Sequence, residues 1–282
     1  MGSGMARNLM RAGYRLTVYN RSREKTQALE AEGAVVASTA AEAARGMDAV
    51  FTMLSDDQAV SEVVFGSTGI ISSLKAGAPH ISSSTISTAL ARQLTEKHAA
   101  NKQIYISAPV FGRPEAAEAK KLIVVPAGDR EAIERYRPLF DAIGRATFIV
   151  GTEPSQANLV KLCGNFMIAS MLEAFGEAFA TIEKAGMKRS LFLEVIDELF
   201  GSPVYKNYGA VVAEQKFQPA GFPLKLGFKD VRLAIEAAQE LNVPLPLASL
   251  IRDHLISAMA RGQENWDWSA FALVSARSAG IG

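Results

Sequence analysis

Hydrophobic residues recur at the spacing of an α-helix throughout residues 154–185. They are Leu159, Val160, Leu162, Phe166, Met167, Met171, Leu172, Phe175, Phe179 and Ile182. Pro154 is compatible with a first helical turn, and Gly186 supplies a stop. At about 1.5 Å per residue this helix extends roughly 48 Å, beyond the roughly 30 Å of a small domain. We therefore expect it to contact two bodies.

A polar stripe follows this helix, because Asn158, Lys161 and Asn165 lie at positions i, i+3 and i+7. Two interpretations remain open for it. It is either a solvated face near the helix start, or it presents Lys161 as an acid/base group beside a substrate, with Asn165 as a hydrogen-bonding companion. A membrane span needs about 20 predominantly apolar residues. Because polar and charged residues interrupt the apolar run, we expect a buried helix of a soluble protein.

Strands and helices alternate before the long helix. The predicted strands are residues 15–19, 34–37, 49–54, 104–106, 122–126 and 147–150, with a further strand leading into the Ser-rich segment 79–84. The predicted helices are residues 1–12, one opening at 20–22, and 40–45, 57–65, 88–100 and 130–142. After Gly151 only helices are predicted, at 190–199, 204–214, 225–241, 246–261 and near Ser269. The pattern predicts an α/β fold, with a doubly wound parallel sheet in residues 1–150 and an all-helical domain in residues 151–282.

Composition narrows the possible functions. The 282 residues are 49% hydrophobic, which is ample for a buried core. With 30 Lys and Arg against 29 Asp and Glu, no basic field attracts nucleic acid. Cys163 is the only cysteine, so an internal disulfide is excluded, and the three His residues lie in unrelated contexts, so we expect no metal site. No secretory signal peptide is visible, and we expect a cytoplasmic protein.

Short motifs in chain order connect these segments with a known family. Residues 1–9 (MGSGMARNL) place glycines at the start of a helix, as pyrophosphate binding requires. Further matches are NR at 20–21, MLS at 53–55, STIS at 84–87, APV with a following glycine at 108–112, Lys161 with Asn165, and KD at 229–230. Over essentially its whole length the chain resembles the β-hydroxyacid dehydrogenase family, which includes 3-hydroxyisobutyrate dehydrogenase, tartronate semialdehyde reductase and, more distantly, 6-phosphogluconate dehydrogenase.

The resemblance implies a Rossmann-type cofactor domain and hydride transfer between NADP(H) and a small carboxylate with a hydroxyl or aldehyde group at the β position or beyond. Lys161 would be the general acid/base, and Asn165 would hold the substrate. The substrate-binding residues would be Val110, Phe111, Gly112 and Arg113. The cofactor-binding residues would be Gly2, Met5, Asn20, Arg21, Ser22, Met53, Leu54, Ser55, Thr85 and Lys229. We expect a homodimer or homotetramer, without nucleic-acid or membrane partners.

The chain departs from the family pattern in its substrate loop. Ser107, Phe111 and Arg113 stand where relatives have Asp, Ser and a second Gly, so substrate identity stays open. The alternatives to a substrate contact are that Phe111 is a core residue and that Arg113 is solvated. The first two glycines of the dinucleotide fingerprint are also absent, which leaves Gly2 as the third.

Arg21 bears on the choice of cofactor. NAD enzymes of this design usually place an acidic residue after the second strand to bind the ribose 2′-hydroxyl, whereas an arginine suits the 2′-phosphate. We therefore expect NADP, with NAD as the alternative. Arg21 could instead be a surface residue in a charged helix start, where Arg23, Glu24 and Lys25 follow it.

The predicted sheet lacks one strand. In the doubly wound order 3-2-1-4-5-6 the first strand is central, and its carboxyl end carries the glycine loop. This chain begins just after that loop, so strands 15–19 and 49–54 lack the neighbour between them. We expect either a gap at this place or a sheet that has closed up. We also expect the natural gene product to begin about ten residues earlier, and the 282-residue form to be unstable and to bind NADPH poorly.

Two other functions remain open. Imine reductases share this architecture, although such relatives usually replace the lysine. A catalytically silent binding protein on the same fold is the third hypothesis. The retention of Lys161, Asn165 and Lys229 argues against it, while the missing strand argues for an inactive product.

Overall fold

The computed structural model describes residues 1–281 and divides into two compact units, Met1–Lys161 and a second unit that begins at Leu162. The first unit alternates strands and helices, and the second is helical, so the predicted α/β class is confirmed. The strands are β1 (Thr17–Val18), β2 (Val35–Val36), β3 (Val50–Thr52), β4 (Pro79–Ser82), β5 (Ile104–Ser107), β6 (Val110–Phe111), β7 (Leu122–Val124) and β8 (Gly144–Thr147).

The helices follow the order of the strands along the chain. In the first unit they are α1 (Gly2–Arg11), α2 (Gln27–Ala31), α3 (Ala40–Ala44), α4 (Asp57–Phe65), α5 (Thr88–Ala100), α6 (Pro114–Glu118), α7 (Arg130–Arg135) and α8 (Arg137–Ile143). The long helix α9 (Pro154–Lys184) runs from the first unit into the second. The second unit continues with α10 (Arg189–Phe200), α11 (Pro203–Ala213), α12 (Leu224–Glu240), α13 (Pro246–Met259) and α14 (Leu273–Ser278).

The parallel sheet is interrupted between β1 and β3. β1 pairs with β2, and β4 pairs with both β3 and β5, but β1 and β3 do not pair with each other within residues 1–281. The pairings β2-β1 and β3-β4-β5 agree with neighbouring strands of a doubly wound sheet, and the missing pairing of β1 with β3 agrees with the gap predicted from the sequence. A further sheet has β6 antiparallel to β7, and β7 parallel to β8.

Helices pack on both faces of strand β5. Its successive residues Tyr105 and Ile106 point to opposite sides. Tyr105 packs in a core cluster with Leu94 of α5, whereas Ile106 packs with Leu9 of α1 and Phe140 of α8. Because helices cover both faces of the sheet, its strands are continuously apolar. Ligands of such sheets bind at the carboxyl ends of the strands.

Two predictions in residues 108–150 are wrong. The strand expected at 147–150 is β8, which begins at Gly144, and the helix expected at 130–142 is divided into α7 and α8. A Cβ at position 144 would lie 2.8 Å from the Leu122 carbonyl oxygen, so glycine permits β8 to approach β7. Pro138, in the first turn of α8, has no N–H with which to continue α7. β6 and α6 were not predicted, because each is too short to show a period.

A buried chain of hydrogen bonds ties β3 and β4 to α5. Thr52 Oγ1 lies 2.9 Å from His80 Nε2, His80 Nδ1 lies 2.9 Å from His98 Nε2, and His98 Nδ1 lies 2.8 Å from Gln103 Oε1. The Gln103 amide nitrogen donates to two backbone carbonyls, so its oxygen must accept from His98. Thr52 then donates to His80, and His80 to His98. The expectation that the three histidines lie in unrelated contexts is therefore wrong for His80 and His98, which contact each other.

Acid should destabilise the protein through this chain. Burial lowers the pKa of His80 well below its ordinary value of 6.5 and also lowers the pKa of His98. The unfolded chain therefore binds protons that the folded chain does not, and the free energy of unfolding falls as pH drops below about 6.5, by at most about 2.7 kcal/mol per pH unit for two histidines. The His98→Gln variant keeps one donor and one acceptor at position 98 but has no group there that titrates. Its free energy of unfolding should therefore fall less steeply as pH drops. Urea unfolding between about pH 8 and about pH 5 measures both slopes, and equal slopes would contradict this role.

The second unit has an aromatic core around Trp268. Its Nε1 donates to Tyr208 Oη at 3.0 Å, and a Cβ on Gly227 would lie 2.6 Å from its Cε3 atom, so glycine lets α12 approach the indole. Phe175 and Phe179 of α9 stack at 5.2 Å in the same core. By length and composition α9 could cross a membrane, and 50% of its most apolar 18-residue window is buried inside the protein.

Candidate active site

The polar stripe of α9 is buried. Asn158, Lys161 and Asn165 are 1%, 8% and 6% exposed. The alternative of a solvated face is therefore wrong, and each side chain needs partners that offset the cost of its burial. Lys161 and Asn165 lie four residues apart, one turn along the same helix.

The ammonium group of Lys161 lies over the ring of Phe111, with 4.2 Å between Nζ and the ring centroid. The face of an aromatic ring attracts a cation at this distance, by about 0.5 to 2 kcal/mol depending on how far water is excluded. Phe111 lies in β6 opposite Ile123 and is only partly buried. Its ring packs on the lysine instead of filling the buried core, where the alternative interpretation placed it.

Asn158, one turn before Lys161, is fixed by Ser107. Ser107 Oγ donates to Asn158 Oδ1 at 2.6 Å, and both residues are buried. Asn158 Nδ2 makes no hydrogen bond within residues 1–281. The spacing of Asn158 from Lys161 indicates that both residues lie on one helix face. Nothing in the sequence predicts that Asn158 contacts Ser107, which stands where relatives have aspartate.

The loop after β6 is shaped by Gly112. Its φ is 140°, and a Cβ there would lie 2.7 Å from Leu122 Cδ2, so both the backbone and the space require glycine. The turn places Arg113 directly before α6, and Val110 before it is buried. Arg113 is partly buried and so is not a purely solvated residue. The four predicted substrate residues are therefore consecutive, spanning β6 and the turn after it, and the Phe111 ring contacts Lys161.

In the second unit, Asn165 is held by Asp230 of α12. Asn165 Nδ2 donates to Asp230 Oδ2 at 2.6 Å, and Lys229 Nζ lies 3.0 Å from Asp230 Oδ1. Asp230 is 1% exposed, so this buried carboxylate has a cation and an amide donor as partners. Because Asp230 takes the amide nitrogen, the Asn165 oxygen is directed away from that carboxylate as an acceptor. In the sequence, Asp230 was noted only as part of the KD motif shared with the family. Its contact with Asn165 was not predicted.

The start of α1 fits the pyrophosphate of a dinucleotide. Gly2 and Ser3 are exposed, no side chain caps the helix, and its first backbone N–H groups point out of the helix end. Such an end attracts anions. A Cβ on Gly4 would lie 2.9 Å from the Glu118 nitrogen, so glycine permits the close packing of α1 on α6, while Met5 is buried in the core. Helix α1 is thus firmly packed against α6.

Arg21 follows the carboxyl end of β1, at the edge where doubly wound sheets bind their ligands. Asn20 Oδ1 accepts a hydrogen bond from the Ser22 backbone N–H at 3.0 Å, which stabilises the turn around Arg21. The Arg21 side chain is exposed and makes no ion pair within residues 1–281. The predicted helix opening at 20–22 is instead a turn that leads into a 3-10 helix at Arg23–Thr26.

The loops after β3 and β4 are joined to each other. The Leu54 backbone N–H donates to Ser84 Oγ at 2.9 Å, beside Thr85, which is partly buried. A Cβ on Gly2 would lie 3.8 Å from Met53 Cβ, so the start of α1 adjoins the end of β3. Ser55, next along the chain, is exposed. The cofactor residues predicted in the first unit therefore lie at strand ends and at one helix end, whereas Lys229 belongs to the second unit.

Family profiles match both parts of the chain. The profile described as the NAD binding domain of 6-phosphogluconate dehydrogenase matches residues 1–151. The profile described as NAD-binding of NADP-dependent 3-hydroxyisobutyrate dehydrogenase matches residues 155–275. Both halves therefore point to a nicotinamide cofactor. Within residues 1–281 no group of three His, Cys, Asp or Glu side chains is arranged to hold a metal ion.

Individual relatives agree with the profiles. The uncharacterized oxidoreductase YfjR of Bacillus subtilis (strain 168) is 46% identical over 96% of this chain and 94% of that protein. Glyoxylate/succinic semialdehyde reductase 1 of Arabidopsis thaliana is 31% identical over 96% of this chain and 93% of that protein. The crystal structure of 3-hydroxyisobutyrate dehydrogenase from Salmonella typhimurium has a TM-score of 0.87 at 27% identity and covers 97% of this chain and 95% of that chain. The chain therefore belongs to the β-hydroxyacid dehydrogenase family and is an NAD(P)-dependent oxidoreductase of the 3-hydroxyisobutyrate dehydrogenase and semialdehyde reductase type.

Proposed function

We propose that the protein transfers a hydride between NADP(H) and a small carboxylate that carries a hydroxyl or aldehyde group, with Lys161 as general acid/base. The observation that carries the proposal is the buried Lys161 ammonium over the Phe111 ring, one helical turn before Asn165. Lysine is almost never fully buried unless it is paired. The ring holds the ammonium group in a defined position, and general acid catalysis requires a positioned proton donor.

The residues of this chain have separate tasks in the reaction. The bound cofactor supplies or accepts the hydride. During reduction Lys161 Nζ donates a proton to the carbonyl oxygen of the substrate, and during oxidation it takes the proton of the alcohol. The Asn165 oxygen, directed away from Asp230, is suited to accept a hydrogen bond from the substrate hydroxyl. The Phe111 ring limits the positions that Nζ can occupy.

Arg113 is suited to bind the substrate carboxylate. A guanidinium binds a carboxylate through two parallel hydrogen bonds, which gives both affinity and orientation. The turn at Gly112 places Arg113 two residues after Phe111, whose ring contacts Lys161. Substrates with a carboxylate are therefore expected to bind better than neutral aldehydes of the same length.

A substrate panel tests the proposed function. Glyoxylate and succinic semialdehyde, which the Arabidopsis relative's name contains, are compared with butanal and a cyclic imine, each with NADPH and NADH. Oxidation of the reduced cofactor is followed by absorbance. We expect kcat/KM for succinic semialdehyde to exceed that for butanal by at least about tenfold, because butanal cannot pair with Arg113. Reduction of the imine alone would favour the imine reductase hypothesis, and no turnover of any compound would favour a silent binding protein.

The departures in the substrate loop should set specificity. Phe111→Ser combined with Arg113→Gly restores the loop chemistry of the better known relatives, so activity should move toward their compact hydroxy acids. Because loss of the ring also loosens Lys161, kcat should fall for every substrate, and the informative quantity is a ratio. We expect kcat/KM for 3-hydroxyisobutyrate relative to 4-hydroxybutyrate to rise at least about tenfold. The two single variants serve as controls, and an unchanged ratio in the double variant would show that this loop does not set specificity.

A further inference from the structure

Helix α1 packs one side against the short helix α6. The residues on this side lie at positions i, i+3, i+4 and i+7 of a helix and are Gly4, Arg7, Asn8 and Arg11. Asn8 is 6% exposed, and its Nδ2 donates to the backbone carbonyl of Ala117 at 2.6 Å. A buried amide costs free energy unless its hydrogen bonds are made, so the Ala117 carbonyl offsets the burial of Asn8.

Two arginines of α1 support this contact. Arg11 Nη1 donates to Asn8 Oδ1 at 3.2 Å, which leaves the amide nitrogen of Asn8 directed at Ala117. Arg7 Nη1 lies 3.0 Å from Glu118 Oε1, but the two side chains are 23% and 46% exposed. An ion pair so close to solvent contributes little. The buried Asn8 bond is therefore the main polar connection between α1 and α6.

The residue that Asn8 holds in turn holds Arg113. Arg113 directly precedes α6, and its backbone carbonyl accepts a hydrogen bond from the Ala117 N–H at 3.1 Å. Ala117 is thus bonded to Arg113 through its N–H and to Asn8 through its carbonyl. A helix of five residues is too short to be stable alone, so the position of α6 depends on contacts of this kind. A shift of α6 would move the backbone of Arg113 with it.

Helix α1 is a firm support for this connection. On its other side Met5 and Leu9 are buried in a core cluster that also contains Val110 of β6. The amino end of the same helix is the end that fits a pyrophosphate. One rigid helix therefore adjoins the expected place of the cofactor at residue 2 and, through Asn8, the backbone that carries Arg113.

We propose that Asn8 is a positioning residue that holds Arg113 in place for the carboxylate of the substrate. The inference rests on the proposed function, because it takes Arg113 as the group that binds the carboxylate. Asn8 acts through Ala117 and touches neither substrate nor cofactor. A substrate without a carboxylate does not use Arg113, so its turnover should not depend on Asn8. This selectivity separates positioning of Arg113 from a general contribution to folding.

Steady-state kinetics with two substrates test the selectivity. Asn8→Ala and Asn8→Asp both remove the amide donor, and the aspartate keeps the size of the side chain. We expect kcat/KM for succinic semialdehyde to fall at least about tenfold in each, mainly through KM, because the carboxylate loses a prepositioned partner. The kcat/KM for butanal and the Kd for NADPH should stay within about threefold. Equal losses for both substrates would show a structural role alone and overturn the proposal.

Asn101→Ala is the matched control. Asn101 Nδ2 also donates to a helix carbonyl, that of Lys97 at 2.8 Å, but Asn101 is exposed at the end of α5. Its replacement should leave kcat/KM for both substrates within about twofold of the wild type. Circular dichroism melting checks that each variant is folded. A selective loss with succinic semialdehyde in Asn101→Ala as large as that in Asn8→Ala would contradict a specific role of Asn8.

A double-mutant cycle tests whether Asn8 acts through Arg113. Once Arg113 is replaced by alanine, a further Asn8→Ala change should lower kcat/KM for succinic semialdehyde by no more than about twofold. Additive losses would overturn the proposal. If Arg113→Ala lowers this kcat/KM but Asn8→Ala does not, only the role of Asn8 fails. If Arg113→Ala leaves the preference for succinic semialdehyde over butanal unchanged, the proposed carboxylate contact fails, and the role of Asn8 with it.

Hydrogen exchange tests the connection without any substrate. Mass spectrometry follows deuterium uptake by the backbone amides of residues 114–119 in the wild type, Asn8→Ala and Asn101→Ala. We expect these amides to exchange at least about tenfold faster in Asn8→Ala, because α6 opens more often when the Ala117 carbonyl loses its donor. Uptake in Asn101→Ala should match the wild type. Unchanged exchange of residues 114–119 in Asn8→Ala would show that Asn8 does not hold α6 and would overturn the proposal.

Discussion

Replacing Lys161 by alanine is expected to lower kcat by about a thousandfold or more, in the range that a positioned proton donor contributes. NADPH binding should stay within about threefold of the wild type, because the proposed role of the lysine is at the substrate oxygen and not at the cofactor. Steady-state turnover with succinic semialdehyde and fluorescence titration with NADPH measure the two quantities. The loss should appear in kcat more than in KM, since the proton is transferred in the transition state.

The matched control lies on the same helix. Lys184→Ala removes an exposed lysine from the last turn of α9 and should leave kcat and NADPH affinity unchanged. A Lys161→Ala variant that retains the wild-type kcat would remove this lysine from the mechanism. Loss of NADPH binding in parallel with turnover would show that Lys161 serves the cofactor instead.

Replacing Arg21 by aspartate is expected to weaken NADPH binding about a hundredfold and to change NADH binding by no more than about threefold. A charge-assisted hydrogen bond to a phosphate contributes about 1.5 to 3 kcal/mol, and the introduced carboxylate also repels the 2′-phosphate. NADH has a hydroxyl at that place, to which an acidic residue can bind. Kd values for both cofactors, measured on wild type and variant, give the ratio directly.

Arg23→Asp separates this specific contact from a general change of charge. Arg23 is exposed, lies two residues further along, and carries the same charge. We expect its replacement to weaken NADPH by no more than about threefold, because an exposed charge away from the ligand is largely screened. Equal losses for NADPH and NADH in Arg21→Asp would show that Arg21 does not bind the phosphate.

Local patterns in the sequence predicted the framework of the site. The apolar period of α9 gave its ends within one residue, and the spacing of Asn158, Lys161 and Asn165 placed them on one face. The glycine-rich start of α1 was likewise predicted. These features depend on neighbours within one or two helical turns, so the order of residues alone determines them.

The partners of these residues could not be predicted in the same way. Asn165 and Asp230 lie 65 positions apart, and which carboxylate reaches the amide depends on how α9 and α12 pack. The Phe111 ring reaches Lys161 from β6, a strand too short to show a period. The buried pair His80 and His98 likewise depends on the packing of α5 beside β4. Non-local packing decided each of these contacts.

Chemical rescue tests most directly whether Lys161 is the proton donor. The Lys161→Ala variant, loaded with NADPH, is mixed with succinic semialdehyde in the absence and presence of ethylamine, whose ammonium group can occupy the space left by the side chain. We predict almost no NADPH oxidation without the amine and a rate that rises with amine concentration, while Lys184→Ala shows no dependence on it. NADPH oxidation by Lys161→Ala at the wild-type rate without amine would contradict the assignment of Lys161 as the proton donor.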